Sequence, residues 1–254
     1  MKLAVIGSGI SGLICGYLLG KSHDLTILEA DSRPGGHVNT VKVTGQSGIH
    51  AVDTGFIVFN RLTYPKFCQL LNNLGVRTKP TRMGFSVSCE ASGIEYSGES
   101  AGGLLGSIRN LCDPSHWGMV ADILRFHRLG QDQAAHPTGE QTVSEYVKRH
   151  KLGKRFVSHY LYPLGSALWS CPAEKFGDFP MEFVINFMDN HQMLQARNRP
   201  VWRVIEGGSR TYVDRMVETL GSRLRYNSPV QSVKRIHNKV EVIQQNGDAA
   251  TYDE

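Results

Sequence analysis

The segment Leu3-Ala4-Val5-Ile6-Gly7-Ser8-Gly9-Ile10-Ser11-Gly12 lies at the start of the chain and decides its fold. Leu3–Ile6 predicts a short buried strand, and Ile10–Leu19 predicts a helix with apolar residues at helical spacing. Leu25–Leu28 predicts a second buried strand, so the three elements form a β-α-β unit of a parallel sheet. The GxGxxG sequence between strand and helix stands in the context that a dinucleotide-binding loop requires.

The glycines of this loop meet different requirements of pyrophosphate binding. Gly7 permits the tight turn, Gly9 lets the backbone approach the pyrophosphate, and Gly12 lets the helix pack closely on the sheet. The helix N-terminus offers N–H groups and the positive end of its dipole to an anion. We therefore predict that the whole loop binds a cofactor: Gly7, Ser8, Gly9, Ile10, Ser11 and Gly12.

Glu29 follows the second strand, 22 positions after Gly7. A carboxylate there can accept hydrogen bonds from a ribose diol and would repel a 2′-phosphate. The alternative interpretation is a glycine-rich turn followed by a glutamate that faces solvent.

The residues that begin at Glu29 resemble a known superfamily. Glu29-Ala30-Asp31-Ser32-Arg33-Pro34-Gly35-Gly36 is similar to the E-x-x-x-R-x-G-G extension of flavin-containing amine oxidases and phytoene desaturases, which ordinary nicotinamide dehydrogenases lack. Arg33 can offset diphosphate charge, and Gly35 and Gly36 allow backbone to approach an extended ribityl chain. The resemblance implies that the cofactor is FAD, whereas a polar turn with Arg33 in solvent is the alternative.

Other segments resemble the same superfamily in the same order. Val52–Phe56 resembles the D-x-G segment beside the flavin, Gly207-Gly208-Ser209 resembles its second glycine-rich turn, and Pro229-Val230 opens a strand whose backbone holds the adenine in that family. Gly55–Asn60 and Pro163–Ser170 resemble a bacterial branch of predicted NAD/FAD-binding, amine-oxidase-like proteins. The resemblance adds these cofactor-binding residues to the loop: Glu29, Ala30, Arg33, Gly35, Gly36, His37, Gly55, Phe56 and Val230.

The chain departs from the superfamily at two places. His37 stands where arginine is common; a histidine can still donate to a phosphate or to the flavin edge, but its charge depends on pH. The chain ends at Glu254, whereas members of the superfamily run much longer. We expect a C-terminally truncated sequence and assign no catalytic residue within it.

The order of elements predicts an α/β fold: a Rossmann-like, glutathione-reductase-type FAD/NAD(P)-binding domain with an inserted, mainly helical substrate domain. Residues 1–84 are predicted to form the first part of the FAD-binding domain, 85–200 a partial substrate domain, and 201–254 an incomplete second part. Within the insertion, Ser115 and Thr142 are predicted helix N-caps, and Pro163-Leu164-Gly165 is predicted to form a turn.

Composition excludes several classes of protein. With 254 residues, 41% of them hydrophobic and 20% charged, the chain is long and apolar enough to bury a core. A net charge of +5 does not argue for nucleic acid. Leu3–Gly20 carries no charge, but its five glycines argue against a membrane helix or signal peptide, and no integral membrane segment is predicted.

Cysteine and histidine patterns indicate neither a disulfide framework nor a metal site. The five cysteines are odd in number and widely spaced, without a CxxC motif, which favours a reducing cytoplasm. The histidines form no HxxxH or HExxH pair. The densest basic run is interpreted as a solvated helix end and loop, with a phosphate or peripheral membrane patch as the alternative: Lys148, Arg149, Lys151, Lys154 and Arg155.

Together these patterns predict an FAD-dependent oxidoreductase of the amine-oxidase type, which transfers hydride from an amine or lipid-like small molecule to flavin N5. One alternative is an FAD-dependent desaturase, isomerase or mutase acting on a lipid or isoprenoid. Another is a non-catalytic binding protein on the same fold. Phe59, Asn60 and Trp169 are candidate substrate contacts, although both aromatic residues suit a core equally well. The oligomeric state stays open.

Overall fold

The computed structural model describes residues 1–98, 100–136, 139, 141–195 and 200–254. Backbone contacts divide the chain into two compact units. Unit 1 comprises Met1–Thr81 and Trp202–Glu254, and unit 2 comprises Arg82–Val201.

Strands occur in both units. They are β1 (Lys2–Ile6), β2 (Asp24–Leu28), β3 (Thr40–Gly45), β4 (Gly48–Asp53), β5 (Phe59–Asn60), β6 (Thr78–Pro80), β7 (Ser86–Cys89), β8 (Ile94–Ser97), β9 (Trp202–Ile205), β10 (Leu224–Arg225), β11 (Val230–Ile236), β12 (Lys239–Gln244) and β13 (Ala249–Tyr252).

Most helices belong to unit 2. They are α1 (Ile10–Leu19), α2 (Pro65–Asn73), α3 (Ala101–Leu105), α4 (Ile108–Leu111), α5 (Pro114–Ala135), α6 (Val143–Arg149), α7 (Lys154–Phe156), α8 (Tyr162–Trp169), α9 (Ala173–Phe176), α10 (Met181–Asn190) and α11 (Arg210–Leu220). Val157–Leu161 is a π-helical turn between α7 and α8, and Gly221–Arg223 is a 3₁₀ turn.

Unit 1 is built on a parallel sheet with the strand order β1-β2-β10. Leu3 pairs with Leu25 and Ile6 with Leu28, and α1 makes the crossover between the two strands. Buried side chains of α1, β2 and α11, including Leu13, Ile27 and Val213, form a shared core. The predicted β-α-β unit is therefore confirmed, and its helix has the predicted bounds.

The remaining strands of unit 1 form three smaller antiparallel arrangements. β3 and β4 form a hairpin, β11-β12-β13 form a three-stranded sheet, and β9 lies between β5 and β6. The alternating pattern of the sequence predicts a hairpin of Val38–Val43 and Ile49–Val52, and the observed β3 and β4 differ from these bounds by one or two residues.

Unit 2 packs its helices around one hydrophobic core. Phe126 on α5, Phe156 on α7 and Phe176 on α9 are fully buried there. The two-stranded β7–β8 hairpin packs on the same core through Ile94 and Tyr96. The mainly helical character matches the sequence pattern. Among the residues that the structure describes, no helix is both long and apolar enough to cross a membrane.

Several local predictions for unit 2 are wrong. The sequence predicts one helix over Leu104–Leu111, but the structure has two, α3 and α4, because Gly106 between them takes φ +62°. Asp113, and not Ser115, caps α5: its carboxylate accepts from the Ser115 N–H at 2.9 Å. The predicted turn at Pro163 is helical, since α8 runs to Trp169.

The predicted cap at Thr142 is confirmed. Its hydroxyl accepts from the N–H of Glu145, whose carboxylate in turn accepts from the Thr142 N–H, which completes a capping box.

Candidate functional site

The loop between β1 and α1 has the backbone geometry that its glycines predict. Gly7 takes φ +88°, and its N–H donates to the Leu28 carbonyl at 2.8 Å, which ties the turn to β2. A Cβ on Gly12 would overlap the Gly7 carbonyl oxygen, so only glycine permits this approach of helix to turn. A Cβ on Gly9, in contrast, would meet no atom within 4 Å. The surface of the loop is therefore open at Gly9.

No side chain in the described part of the protein caps the first N–H groups of α1. Gly9 is the N-cap, no side chain accepts a hydrogen bond there, and the first turn holds no acidic residue. Helix N-termini in this state attract anions through free N–H groups and the helix dipole. The open loop thus fits a diphosphate.

Glu29 is buried beside this loop, with 8% of its surface exposed. Its carboxylate accepts from the Ser8 N–H at 2.7 Å, from the Ser8 hydroxyl, and from the Asp31 N–H at 2.9 Å. Burial alone would raise the pKa of Glu29, but the hydrogen bonds from Asp31 and Ser8 outweigh it and lower the pKa below its ordinary value. Carboxylate oxygens each accept more than one hydrogen bond, and Glu29 lies beside the open loop, so a ribose hydroxyl can also donate to it.

The Gly35-Gly36 turn packs directly on the phosphate loop. The Gly35 N–H donates to the Ser8 carbonyl at 2.9 Å, and a Cβ on Gly36 would come within 3.1 Å of the Gly9 Cα. Arg33 donates to the Gly36 carbonyl at 3.1 Å and to the Val38 carbonyl at 3.2 Å. Arg33 therefore holds its own turn closed, a role that the sequence pattern does not show, while Ala30 is exposed next to Glu29.

His37 continues this turn toward the D-x-G segment. The His37 carbonyl lies so close to Gly55 that a Cβ on Gly55 would overlap it, and the His37 side chain is exposed. The Thr54 N–H donates to the Asn39 carbonyl at 2.9 Å, which extends the contact. The predicted residues from Gly7 to Gly55 thus meet along one continuous backbone surface of unit 1.

Asp53 joins the D-x-G segment to the second glycine-rich turn. Its carboxylate accepts from the N–H of Ser209 at 2.9 and 3.0 Å and from the Ser209 hydroxyl at 3.1 Å. The same hydroxyl lies 2.7 Å from the Phe56 carbonyl, to which it can donate. This end of α11 is therefore occupied by a protein carboxylate.

Thr40 is the member of this network that sequence reasoning missed. Its hydroxyl donates to Asp53 at 2.5 Å and accepts from the Arg210 N–H at 2.9 Å. These partners lie 13 and 170 positions away along the chain, and no local pattern marks them.

The chain that leads into β11 runs beside Glu29. The Glu29 N–H donates to the Arg225 carbonyl and the Ser228 N–H donates to the Glu29 carbonyl, both at 2.8 Å. Val230 begins β11 two residues later and is half-buried. The structure thus brings the predicted adenine segment to the carboxyl end of β2.

The predicted substrate residues have structural partners. Phe59 is 1% exposed and packs edge-on against Phe67, with ring centroids 5.2 Å apart. Asn60 is fully buried, and its amide oxygen accepts from the N–H groups of Leu62 and Thr63 at 2.9 and 2.8 Å. These contacts account for both side chains without a substrate.

Trp169 belongs to unit 2 and lies in an aromatic cluster. Its ring stacks on Phe176 with centroids 5.6 Å apart, and Phe187 packs edge-on at 5.0 Å. Trp169 stays partly exposed. Among the described residues, no group of three or more His, Cys, Asp and Glu side chains is arranged to hold a metal ion.

Comparison with known proteins identifies the family of this chain. Residues 10–254 match the family model of flavin containing amine oxidoreductases. The chain belongs to this family. The resemblance read from the motifs is therefore confirmed, and the family makes FAD the cofactor.

Solved structures of two amine oxidases are similar to this chain in fold. Putrescine oxidase bound to putrescine is 20% identical, with a TM-score of 0.71. Cyclohexylamine oxidase from Brevibacterium oxydans IH-35A is 14% identical, with a TM-score of 0.70. Each match covers 98% of this chain and 56% of the other. The predicted Rossmann-like α/β class is confirmed by this likeness.

A curated relative matches a smaller part of the chain. Protoporphyrinogen oxidase 2, chloroplastic/mitochondrial, from Arabidopsis thaliana is 25% identical over 174 residues. The match covers 64% of this chain and 31% of the relative. The chain thus spans about half of the solved chains, and its match covers about a third of this relative.

Proposed function

We propose that this protein is an FAD-dependent oxidoreductase of the amine-oxidase type, acting on a small-molecule amine. The observation that carries the proposal is the uncapped N-terminus of α1, open at Gly9 and flanked by the buried carboxylate of Glu29. Membership of the flavin-containing family supports the same cofactor. Bound FAD would supply flavin N5 as the acceptor for a hydride from the substrate carbon next to the amine nitrogen.

The chain's own residues bind and orient the cofactor in this proposal. The N–H groups at the start of α1 hold the diphosphate, and Glu29 accepts a hydrogen bond from the ribose. Arg33 keeps the Gly35-Gly36 turn closed against Gly9, so that backbone and not side chain faces the cofactor.

The remaining predicted cofactor-binding residues contribute through where they lie in unit 1. His37 and Gly55 form the part of the surface that follows the Gly35-Gly36 turn. Phe56 comes directly after Gly55, and its carbonyl accepts from the Ser209 hydroxyl. We propose that the backbone around Val230 holds the adenine. We propose unit 1 as the FAD-binding domain and unit 2 as part of the substrate domain. The units divide at 81/82 and 201/202, whereas the sequence predicts divisions at 84/85 and 200/201.

The alternatives are less well supported. The solved relatives named above oxidise putrescine and cyclohexylamine by name, so amines take precedence over lipids as the first substrates to test. A non-catalytic binding protein would not need a phosphate loop that is both complete and open, as this one is at Gly9.

The test is FAD binding by a Gly9→Val variant. Gly9 has φ −62° and open space around its Cβ position, so valine should leave the fold intact while its methyl groups occupy the path of the diphosphate. Gly118→Val is the matched control, because Gly118 lies on exposed α5 with equally open space. FAD content is measured by absorbance after denaturation, and affinity by calorimetry with added FAD.

We expect wild type and Gly118→Val to bind FAD and Gly9→Val to lose it with unchanged circular dichroism. Wild-type protein that stays colourless and binds no added FAD would overturn the cofactor proposal for this chain. The substrate class is tested separately by anaerobic flavin bleaching with primary amines and with unsaturated lipids. Bleaching by lipids alone would overturn the amine assignment.

We also propose a reducing compartment, the cytoplasm, as the site of action. The five cysteines are free in the structure, and no pair of them forms a disulfide. Thiol titration of denatured protein isolated without reductant should find all five; a lower number would contradict the proposal.

A further inference from the structure

One surface of unit 2 exposes several large apolar side chains. Ile108 is 81% exposed, Leu124 57%, Trp117 45% and Leu111 44%. The Trp117 indole N–H donates to the Leu111 carbonyl at 2.9 Å, which joins the end of α4 to the first turn of α5. Ile108 precedes Leu111 by one turn of α4, and Leu124 follows Trp117 by two turns of α5, so helical spacing puts both next to this junction. Contiguous exposed apolar surface of this kind marks an interaction site more often than it marks ordinary solvent contact.

The exposed apolar side chains continue as a stripe along α5, and basic residues follow at its end. Trp117, Ala121, Leu124 and Arg128 are spaced by four, three and four residues, so they follow one line on the exposed face. Arg125 lies beside this line and is also exposed. The opposite face of α5 is buried in the core of unit 2, so the stripe is fixed in place by packing.

A second basic segment lies beside Arg125, because it is bound to Asp122, which precedes Arg125 by three residues on α5. The Gly153 N–H donates to the Asp122 carboxylate at 2.8 Å, which fixes the loop after α6 against the middle of α5. Exposed cations of this loop and the adjoining helix ends are Lys148, Arg149, Lys151 and Lys154.

The nearby acids are mostly engaged. Asp113 pairs with Arg155 at 2.7 Å, Asp122 accepts from Gly153, and Asp132 lies 3.8 Å from His136 at the far end of α5. The face therefore combines apolar side chains with an excess of exposed positive charge.

We propose that this face of unit 2 binds the surface of an anionic phospholipid bilayer. Tryptophan and leucine enter the headgroup region with their apolar parts, while arginine and lysine beside them contact lipid phosphates. The charge of the face is complementary to that of acidic lipids, which selects a bilayer over an apolar partner. The proposal is independent of the FAD site, because none of the proposed cofactor residues belongs to unit 2.

The experiment is co-sedimentation of the full chain with large unilamellar vesicles. One set contains phosphatidylcholine alone, and the other contains equal amounts of phosphatidylcholine and phosphatidylserine. We expect binding to the anionic set only, weakened by added salt. Arg125→Gln/Arg128→Gln should weaken partition by about fivefold for each charge removed. Trp117→Ser/Leu124→Ser should also weaken it, because less apolar surface enters the headgroup region.

Control variants carry the same kinds of change in unit 1. Lys66→Gln/Lys234→Gln removes two exposed charges from unit 1, and Leu62→Ser removes an apolar side chain that is 63% exposed. These variants should bind as wild type does. Trp117→Phe should abolish a vesicle-induced blue shift of tryptophan fluorescence that wild type shows.

Three results would overturn the proposal. The first is no binding to anionic vesicles, and the second is equal losses in the control variants. The third is a change of oligomeric mass that depends on Trp117 and Leu124, which would assign the face to a second copy of the chain. FAD content measured on the same preparations separates failure of this proposal from failure of the proposed function.

Discussion

The main-chain N–H of Ser209 donates to both carboxylate oxygens of Asp53, although the two residues are 156 positions apart. Asp53 ends β4, and Ser209 is the N-cap of α11. A negative charge at a helix N-terminus is stabilised by unpaired N–H groups and the helix dipole. The contact joins two segments that each resemble part of a flavin site, and it anchors the one that leads to Phe56.

Replacing Asp53 should therefore destabilise unit 1. Asp53→Ala removes the acceptor for the Ser209 N–H and for the Thr40 hydroxyl, and we expect a loss of about 1–2 kcal/mol in the free energy of unfolding. Urea denaturation measures it. Glu218→Ala, which breaks an exposed ion pair to Arg215 at 3.5 Å, is the control and should cost about 0.5 kcal/mol or less. Equal effects of the two variants would contradict the anchoring role.

The buried carboxylate of Glu29 should make stability depend on pH. Its pKa is lower in the folded protein than in the unfolded chain, so its contribution is complete above the unfolded pKa and is lost as pH falls through the folded pKa. Glu29→Gln should cost about 2 kcal/mol at neutral pH, because the Ser8 and Asp31 donors lose a charged acceptor.

The difference between wild type and Glu29→Gln should shrink as pH falls below about 4.5, the ordinary pKa of the side chain. Urea denaturation at a series of pH values measures this difference. A constant difference down to strongly acidic pH would show that Glu29 does not titrate with a lowered pKa.

Two glycines of the phosphate loop should differ in how much alanine destabilises the protein. Gly12→Ala should lower the free energy of unfolding by about 2–3 kcal/mol, since its Cβ would overlap the Gly7 carbonyl. Gly9→Ala should change it by about 0.5 kcal/mol or less, because its Cβ meets open space. Thermal and urea denaturation of the apoprotein provide the comparison. A reversed order would mean that the turn is not built as described.

The cap of α5 offers a test of a position that local sequence misassigns. Asp113→Ala should lower the melting temperature, because Asp113 both caps the helix and pairs with Arg155. Ser115→Ala should leave it unchanged, since the Ser115 side chain is exposed in the first turn. Asp113→Asn keeps a capping side chain without the charge, so an intermediate melting temperature would separate the cap from the ion pair. A larger effect of Ser115→Ala would refute the assignment.

The sequence alone predicted those features that depend on residues close together along the chain. The bounds of α1 match the prediction because strand, glycine turn and helix follow from hydrophobic period and backbone freedom within about 30 residues. The N-cap at Thr142 was predicted for the same reason, since its partner Glu145 is three residues away. Family membership rested on such local motifs as well.

Competing local signals led to the errors. Asp113 and Ser115 both suit an N-cap, and Pro114 between them suits the first helical position, which places the cap at Asp113. Pro163 suggests a break, yet it lies in the first turn of α8 directly after the π-helical turn. A displaced hydrogen-bond ladder can accept a residue that has no N–H, so the helix continues.

The sequence alone determined the phosphate loop, the β-α-β unit around it, the flavin family and the basic run that begins in the last turn of α6. Folding was needed to pair Asp53 with Ser209, to turn Arg33 onto the carbonyls of its own loop, and to set Asp122 against Gly153. The difference is one of range. Backbone freedom and hydrophobic period act between close neighbours, whereas a polar side chain takes whichever buried partner the packed chain brings within hydrogen-bond distance.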